Sequence, residues 1–249
     1  MISASTEDVV KLWQKAIISM LVTCVLGGLY LAHVWNQRRD PGVIARDQQN
    51  TKSNMDDFVI MRSMSPHYFE NLKRIEGLTV WMKNGYVMPY FPATGGHIQF
   101  SKPAGKIPSA QKLEIKKFVK SSVPADLDTG MSHPAHQAFA LFTMPPDAQQ
   151  YAVAVGDIEG QEEAYFCDLE FFYDDPHTIY DHWSKDVWTA IDARQVKPGM
   201  SERQTHMAIG LNANYSSHEK GNRTVTYDQA GKKWVVTYVN DKATVIKAP

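Results

Sequence analysis

The chain has 249 residues, 43% of them hydrophobic, and its 26 Lys and Arg against 27 Asp and Glu leave a net charge of −1. That length suits an anchor plus one sizeable domain or two small ones, and the hydrophobic share is too low for a polytopic membrane protein. The charge balance excludes an electrostatic footprint for nucleic acid, and 6 Trp, 11 Tyr and 10 Phe argue for a packed core over disorder.

The first predicted element is an apolar helix. Ala16 to Val34, AIISMLVTCVLGGLYLAHV, contains no Asp, Glu, Lys or Arg in 19 residues, close to the length that crosses a bilayer's hydrocarbon core. Trp13 stands at one end and Tyr30 and Trp35 near the other, where aromatic residues favour the interface. The stretch continues into bulky Leu29, Tyr30 and Leu31, which argues against a cleaved signal peptide. Thr23 just before Cys24, with apolar residues after it, argues against lipidation at that cysteine. Ser19, Thr23 and Gly27 recur every fourth residue, as do Cys24, Gly28 and Ala32, and these read as two rows side by side on one face. Small residues so spaced let another helix approach closely, which predicts a membrane partner or a second copy. Lys11 and Lys15 on one flank, against Arg38, Arg39 and Arg46 on the other, leave orientation undecided by charge.

Polar residues 36–54, with Pro41-Gly42, read as a linker. Leu78 to Met82 and Tyr86 to Tyr90 flank Asn84-Gly85, a hairpin signal. His97 to Phe100 adds a strand. Pro108 to Ser121 reads as an amphipathic helix, with Leu113, Ile115, Phe118 and Val119 near one face. Gln137 to Thr143, Tyr151 to Val155 and Glu162 to Phe172 read as strands rich in β-branched and aromatic residues.

In the last third, Ile179, Trp183, Val187, Trp188 and Ile191 repeat at helical spacing, predicting a helix over 177–193. Ser201 and Gln204 have capping-box spacing, and Gly210 is a natural stop for the short helix they open. Strands follow at 223–227, 233–239 and 243–247, with polar residues alternating onto one wet face. The domains expected are 1–36 as tail and transmembrane helix, 37–56 as linker, 57–175 as an α+β domain and 176–249 as an αα-βββ module.

Gly199-Met200-Ser201, Ile209-Gly210, Thr226-Tyr227 and Lys233 to Tyr238 carry a resemblance. Residues 177–249 resemble the SmpA/OmlA family of small outer-membrane lipoproteins, which includes the smallest accessory lipoprotein of the β-barrel assembly machinery. The resemblance implies a non-catalytic, protein-binding αα-βββ module in a bacterial envelope, and it favours a periplasmic position for the domain.

Catalytic signatures are sparse. His133, His136, His177 and Asp181 offer donors that could hold zinc or another divalent ion, but their spacing fits no signature such as HExxH. Asp174 and Asp175 equally suit a helix N-terminus. Cys167, among Tyr165, Phe166 and Leu169, reads as a buried small hydrophobe. No haem, iron–sulfur or phosphate-loop motif is present.

The fold class expected is therefore α+β: a single N-terminal transmembrane helix, an antiparallel-sheet domain and the αα-βββ module. The function expected is a non-enzymatic accessory or scaffold subunit of the bacterial inner membrane, without a cofactor. Its partners would be other membrane subunits or itself, with the lipid bilayer around the helix and no nucleic acid. The alternatives are a membrane-tethered metal-dependent hydrolase using the four named donors, and an accessory subunit of a respiratory or photosynthetic complex.

Overall fold

The structure, a computed structural model, describes residues 6–38, 56, 59–132 and 135–249. The chain forms two compact units, residues 1–58 and 59–249.

The first unit contains helix α1, Thr6–Arg38, 33 residues long and so about 50 Å from end to end. No helix among the described residues is long and apolar enough to cross a membrane. That corrects the expected transmembrane helix, and with it the single-pass placement in the inner membrane and the periplasmic domain. Thr23, Gly27, Gly28 and His33 interrupt the apolarity of the middle of α1.

The second unit is mostly antiparallel sheet with few helices, which corrects the expected α+β class. Its larger sheet contains β1 (Thr79–Met82), β2 (Pro89–Thr94), β3 (His97–Ile98), β4 (Gly105–Lys106), β5 (Lys112–Ser122), β6 (His136–Thr143), β7 (Gln150–Glu159), β8 (Glu162–Tyr165) and β9 (Phe171–Phe172). The main path runs β3-β2-β7-β6-β5-β1-β9, with β4 on β2 and β8 on β7. Central strands β6 and β7 are buried on both faces, which is why they read as continuous runs of Ala, Val and Phe.

Two local expectations fail here for physical reasons. Residues 112–122 form a strand, not a helix, and Leu113 and Ile115 alternate inward with period two. A bulge between Ile115 and Lys117 then adds one residue before Phe118. That 2-then-3 spacing imitates a helical face. The strands flanking Asn84-Gly85 do not pair with each other: β1 pairs with β5 and β9, and β2 with β3, β4 and β7.

A short helix α2 (Cys167–Glu170) interrupts the expected strand over 162–172. Cys167 is fully buried there, and burial pushes its thiol pKa up. The expected helix over 177–193 is likewise split into α3 (Pro176–Ile179) and α4 (Lys185–Asp192), each with its own cap, Asp175 and Ser184. Helix α5 (Glu202–Ile209) opens with a complete Ser201/Gln204 capping box and stops at Gly210. The second sheet runs β10-β11-β12-β13: Ala213–Tyr215, Thr224–Gln229, Lys232–Val239 and Lys242–Lys247. Its last turn, Asn240-Asp241, has φ of 52° and 55°, as a tight two-residue hairpin requires.

Two cores result. Phe91, Phe139, Phe142, Leu113 and Ile115 belong to the first, built around the large sheet. Tyr180, Trp183, Trp188, Ile209, Tyr227 and Tyr238 centre the second, between α3–α5 and the small sheet. The β1–β9 pair stands between them. Phe171, opposite Met82, faces the first core, and Phe172, opposite Trp81, faces the second.

Candidate functional site

Close backbone contact joins the two cores. Within the large-sheet part a Cβ on Gly85 would stand 2.0 Å from the Ser109 nitrogen; across the two cores, one on Gly210 would stand 2.3 Å from the Gly85 carbonyl oxygen. Leu211 N–H donates to that carbonyl at 3.3 Å. Arg194, just past the end of α4, donates to the Ser109 carbonyl. The glycine of Asn84-Gly85 thus serves close approach, not a hairpin turn.

Beside this seam lies a pocket of about 350 Å³, within the usual range for small-ligand sites. The large sheet and its connections contribute Lys83, Leu169 and Phe172, and the C-terminal elements contribute Tyr180, Met207, Leu211 and a group of polar and charged side chains. Those are Glu202, Arg203 and His206 from α5, with Lys220 and Arg223.

Glu202 sits in the first turn of α5, where an acid offsets the helix dipole. Its side chain is 1% exposed and accepts from Arg223 Nε at 3.1 Å, from Arg223 Nη2 and from Gly221 N–H at 3.3 Å. Burial raises its pKa, but the Arg223 hydrogen bonds, the Gly221 N–H and the guanidinium charge outweigh that and hold the carboxylate below its ordinary range. Arg223 also stacks on Tyr215, 4.1 Å from the ring centroid, and Nη1 donates to Ser217 O at 3.0 Å. The guanidinium is therefore committed to structure.

His206 lies one turn after Glu202, with Nε2 4.0 Å from the carboxylate and the ring edge against Tyr227 at 5.4 Å. Burial pushes its pKa down to about 4, with Glu202 opposing. The imidazole is neutral at neutral pH. The folded pKa lies below the unfolded 6.5, so the unfolded state takes a proton first as pH falls. Stability is expected to drop between pH 6.5 and 4 by about 3 kcal/mol from this residue, at 1.36 kcal/mol per unit. Urea unfolding of the native chain and of His206→Gln at pH 7 and pH 4.5 checks this, with the variant losing less on acidification.

Lys83 approaches from the sheet side. Its Nζ donates to the Asp168 carbonyl at 2.6 Å and stands 5.1 Å from the Phe172 centroid. Burial lowers its pKa, against the charge of Asp168. The Asp168 carboxylate is itself engaged by Ser63 Oγ, Met64 N–H, Ser65 N–H and Tyr173 Oη.

The residues singled out in the sequence lie elsewhere. Ser19, Thr23, Cys24, Gly27, Gly28 and Ala32 are exposed on α1, and Thr23 Oγ1 donates to Ser19 O at 2.9 Å. The rows centred on Thr23 and Gly28 are five residues apart and so about 140° apart around the axis; they form two faces, not one. A Cβ at Gly27 or Gly28 would meet no atom within 4 Å.

His133 lies outside the described residues. His136 opens β6 and its Nδ1 pairs with Ser122 Oγ at 3.1 Å. It borders a wider pocket of about 680 Å³ that Asp157, Glu159, Glu162 and Glu163 also line. His177 stacks on Trp188 at 4.0 Å, with Nδ1 on Asp175 at 2.9 Å and Nε2 on Asp192 at 3.4 Å. The break between α3 and α4 keeps His177 and Asp181 off a common helix, and Asp181 is exposed. Among the described residues, no group of three or more His, Cys, Asp or Glu side chains is placed to hold a metal ion.

No family model, curated protein or solved structure matches the chain.

Sequence reasoning passed over Lys83, Lys220 and Arg223, which are far apart in the chain. The legible signal was Glu202 and His206, four apart behind a Ser201 cap, which puts both on one face of a short helix.

Proposed function

We propose that this chain is a non-catalytic accessory subunit that binds protein partners, with α1 as a principal docking element. One observation carries this. Among the described side chains of α1, Ile17, Leu21, Leu26, Leu29, Tyr30 and Leu31 are each more than half exposed. At 100° per residue they project to every side of the axis. Apolar side chains on every side of a helix call for a covering partner, and contiguous exposed apolar surface marks an interaction site.

The two small-residue faces support two neighbouring helices, each approaching closely over Gly27 or Gly28. The resemblance of residues 177–249 to the SmpA/OmlA family supports a protein-binding role for the C-terminal elements as well.

The full chain, purified in its native assembly, is expected to sediment well above its monomer mass of 28.1 kDa. Replacing Gly27 and Gly28 with Leu keeps the helix but fills both faces, and is expected to release a monomer. A native chain that sediments as a solitary monomer would overturn the proposal.

A further inference from the structure

We infer that the pocket between the sheet and α5 binds a small organic anion, a charged head carried on an apolar or aromatic body. The head would meet Lys83 and Lys220, and the body would pack on Phe172, Leu169, Met207 and Leu211.

The wall is cationic in a chain whose net charge is −1. Lys83, Arg203, Lys220 and Arg223 line the pocket against one acid, Glu202. Arg223 and Glu202 neutralise each other through two hydrogen bonds, which leaves Lys83 and Lys220 to face a ligand. Lys83 adds a more specific indication. An ammonium has three donors, yet among the described residues Lys83 has one hydrogen-bond acceptor, the Asp168 carbonyl, and one ring face, Phe172. A partly buried charge so sparsely satisfied gains most from an anionic partner, because charge-assisted hydrogen bonds are about twice as strong as neutral ones.

The rest of the lining sets the ligand's other half. Phe172 and Tyr180 pack edge to face at 6.3 Å and continue the second core out to the pocket. Leu169 is 65% exposed and Leu211 37% exposed, both on this wall. A bare inorganic ion would leave these apolar side chains in water. A ligand of mixed character covers them and meets the lysines together, the usual composition of small-molecule sites.

Isothermal titration of the full chain with phenyl phosphate, inorganic phosphate and phenol tests both halves. Phenyl phosphate is expected to bind at least tenfold more tightly than either of the others. Lys83→Met is expected to weaken it at least tenfold and Lys220→Met severalfold, while Lys117→Met, an exposed lysine on β5, changes nothing. Lys220 is exposed, so its variant still reports if Lys83→Met fails to unfold cooperatively. Inorganic phosphate or phenol binding as tightly as phenyl phosphate would overturn the inference. So would unchanged binding in both pocket variants, or no binding of phenyl phosphate at millimolar concentration.

Discussion

Gly85→Ala is expected to destabilise residues 59–249 by about 3 kcal/mol, the upper range for overpacking a filled interior. The added Cβ would lie 2.0 Å from the Ser109 nitrogen, 2.3 Å from its Cα and 2.4 Å from its Cβ. None of these is the free end of a flexible side chain. Ser109 is fully buried, and its carbonyl accepts from Arg194 while its Oγ donates to the Lys83 carbonyl at 3.2 Å. Gly85 and Ser109 lie in neighbouring loops of the large-sheet part, tied by Tyr86 N–H to the Ile107 carbonyl at 2.6 Å and Ala110 N–H to the Met82 carbonyl at 2.8 Å, so relief must come from parting those loops. Gly77→Ala is the matching control. Gly77 has φ of +79°, but nothing stands within 4 Å of a Cβ there, so only the backbone conformation is strained, at about 1 kcal/mol. Urea denaturation of the two variants separates collision from conformation: comparable losses would mean that the seam yields and that the close approach is not a constraint.

Arg223→Met is expected to cost about 3–5 kcal/mol, the usual consequence of removing one partner of a buried ion pair. The loss comes mainly from what is left behind. Glu202 would keep the Gly221 N–H but lose both guanidinium hydrogen bonds at a site where its side chain is 1% exposed. Glu202→Gln in the same background is expected to restore part of the loss, because a neutral amide carries no stranded charge. The pH dependence follows from the direction of each shift. In the native chain the Glu202 pKa is lowered, so its stabilisation is present above the unfolded carboxylate range and is lost as pH falls through the folded value. In Arg223→Met, burial would instead raise the pKa, and the penalty would grow as pH rises. The difference between the two chains is expected to be largest at neutral pH and to narrow toward pH 4. A difference that is flat with pH would mean that the guanidinium acts through packing on Tyr215 and not through its charge.

Legibility in the sequence followed range. The Ser201/Gln204 box, the stop at Gly210 and the Asn240-Asp241 turn are settled by residues within a few positions of each other, and each is present. Asn84-Gly85 carried an equally clear short-range signal and misled, because β1 finds its partners in β5 and β9, at residues 112–114 and 171–172. Strand pairing of that span is decided by burial across the whole sheet. In residues 112–122, a bulge shifted the apolar phase enough to resemble a helix. The apolar run in α1 was plain in composition, but a composition does not state what covers a helix. The pocket was the least visible feature, since Lys83 and Lys220 stand 137 positions apart and neither lies in a motif.

The β1–β9 pair bears on portability. Phe172 and Trp81 belong to the large sheet by their backbone and to the C-terminal core by their side chains. A graft that carried only residues 176–249 onto another protein would leave both aromatic rings behind and uncover Tyr180, which packs on Phe172 at 6.3 Å. The C-terminal helices and sheet are thus not an interchangeable cassette. Any recombinant that keeps them intact must also inherit the β1 and β9 strands of its neighbour.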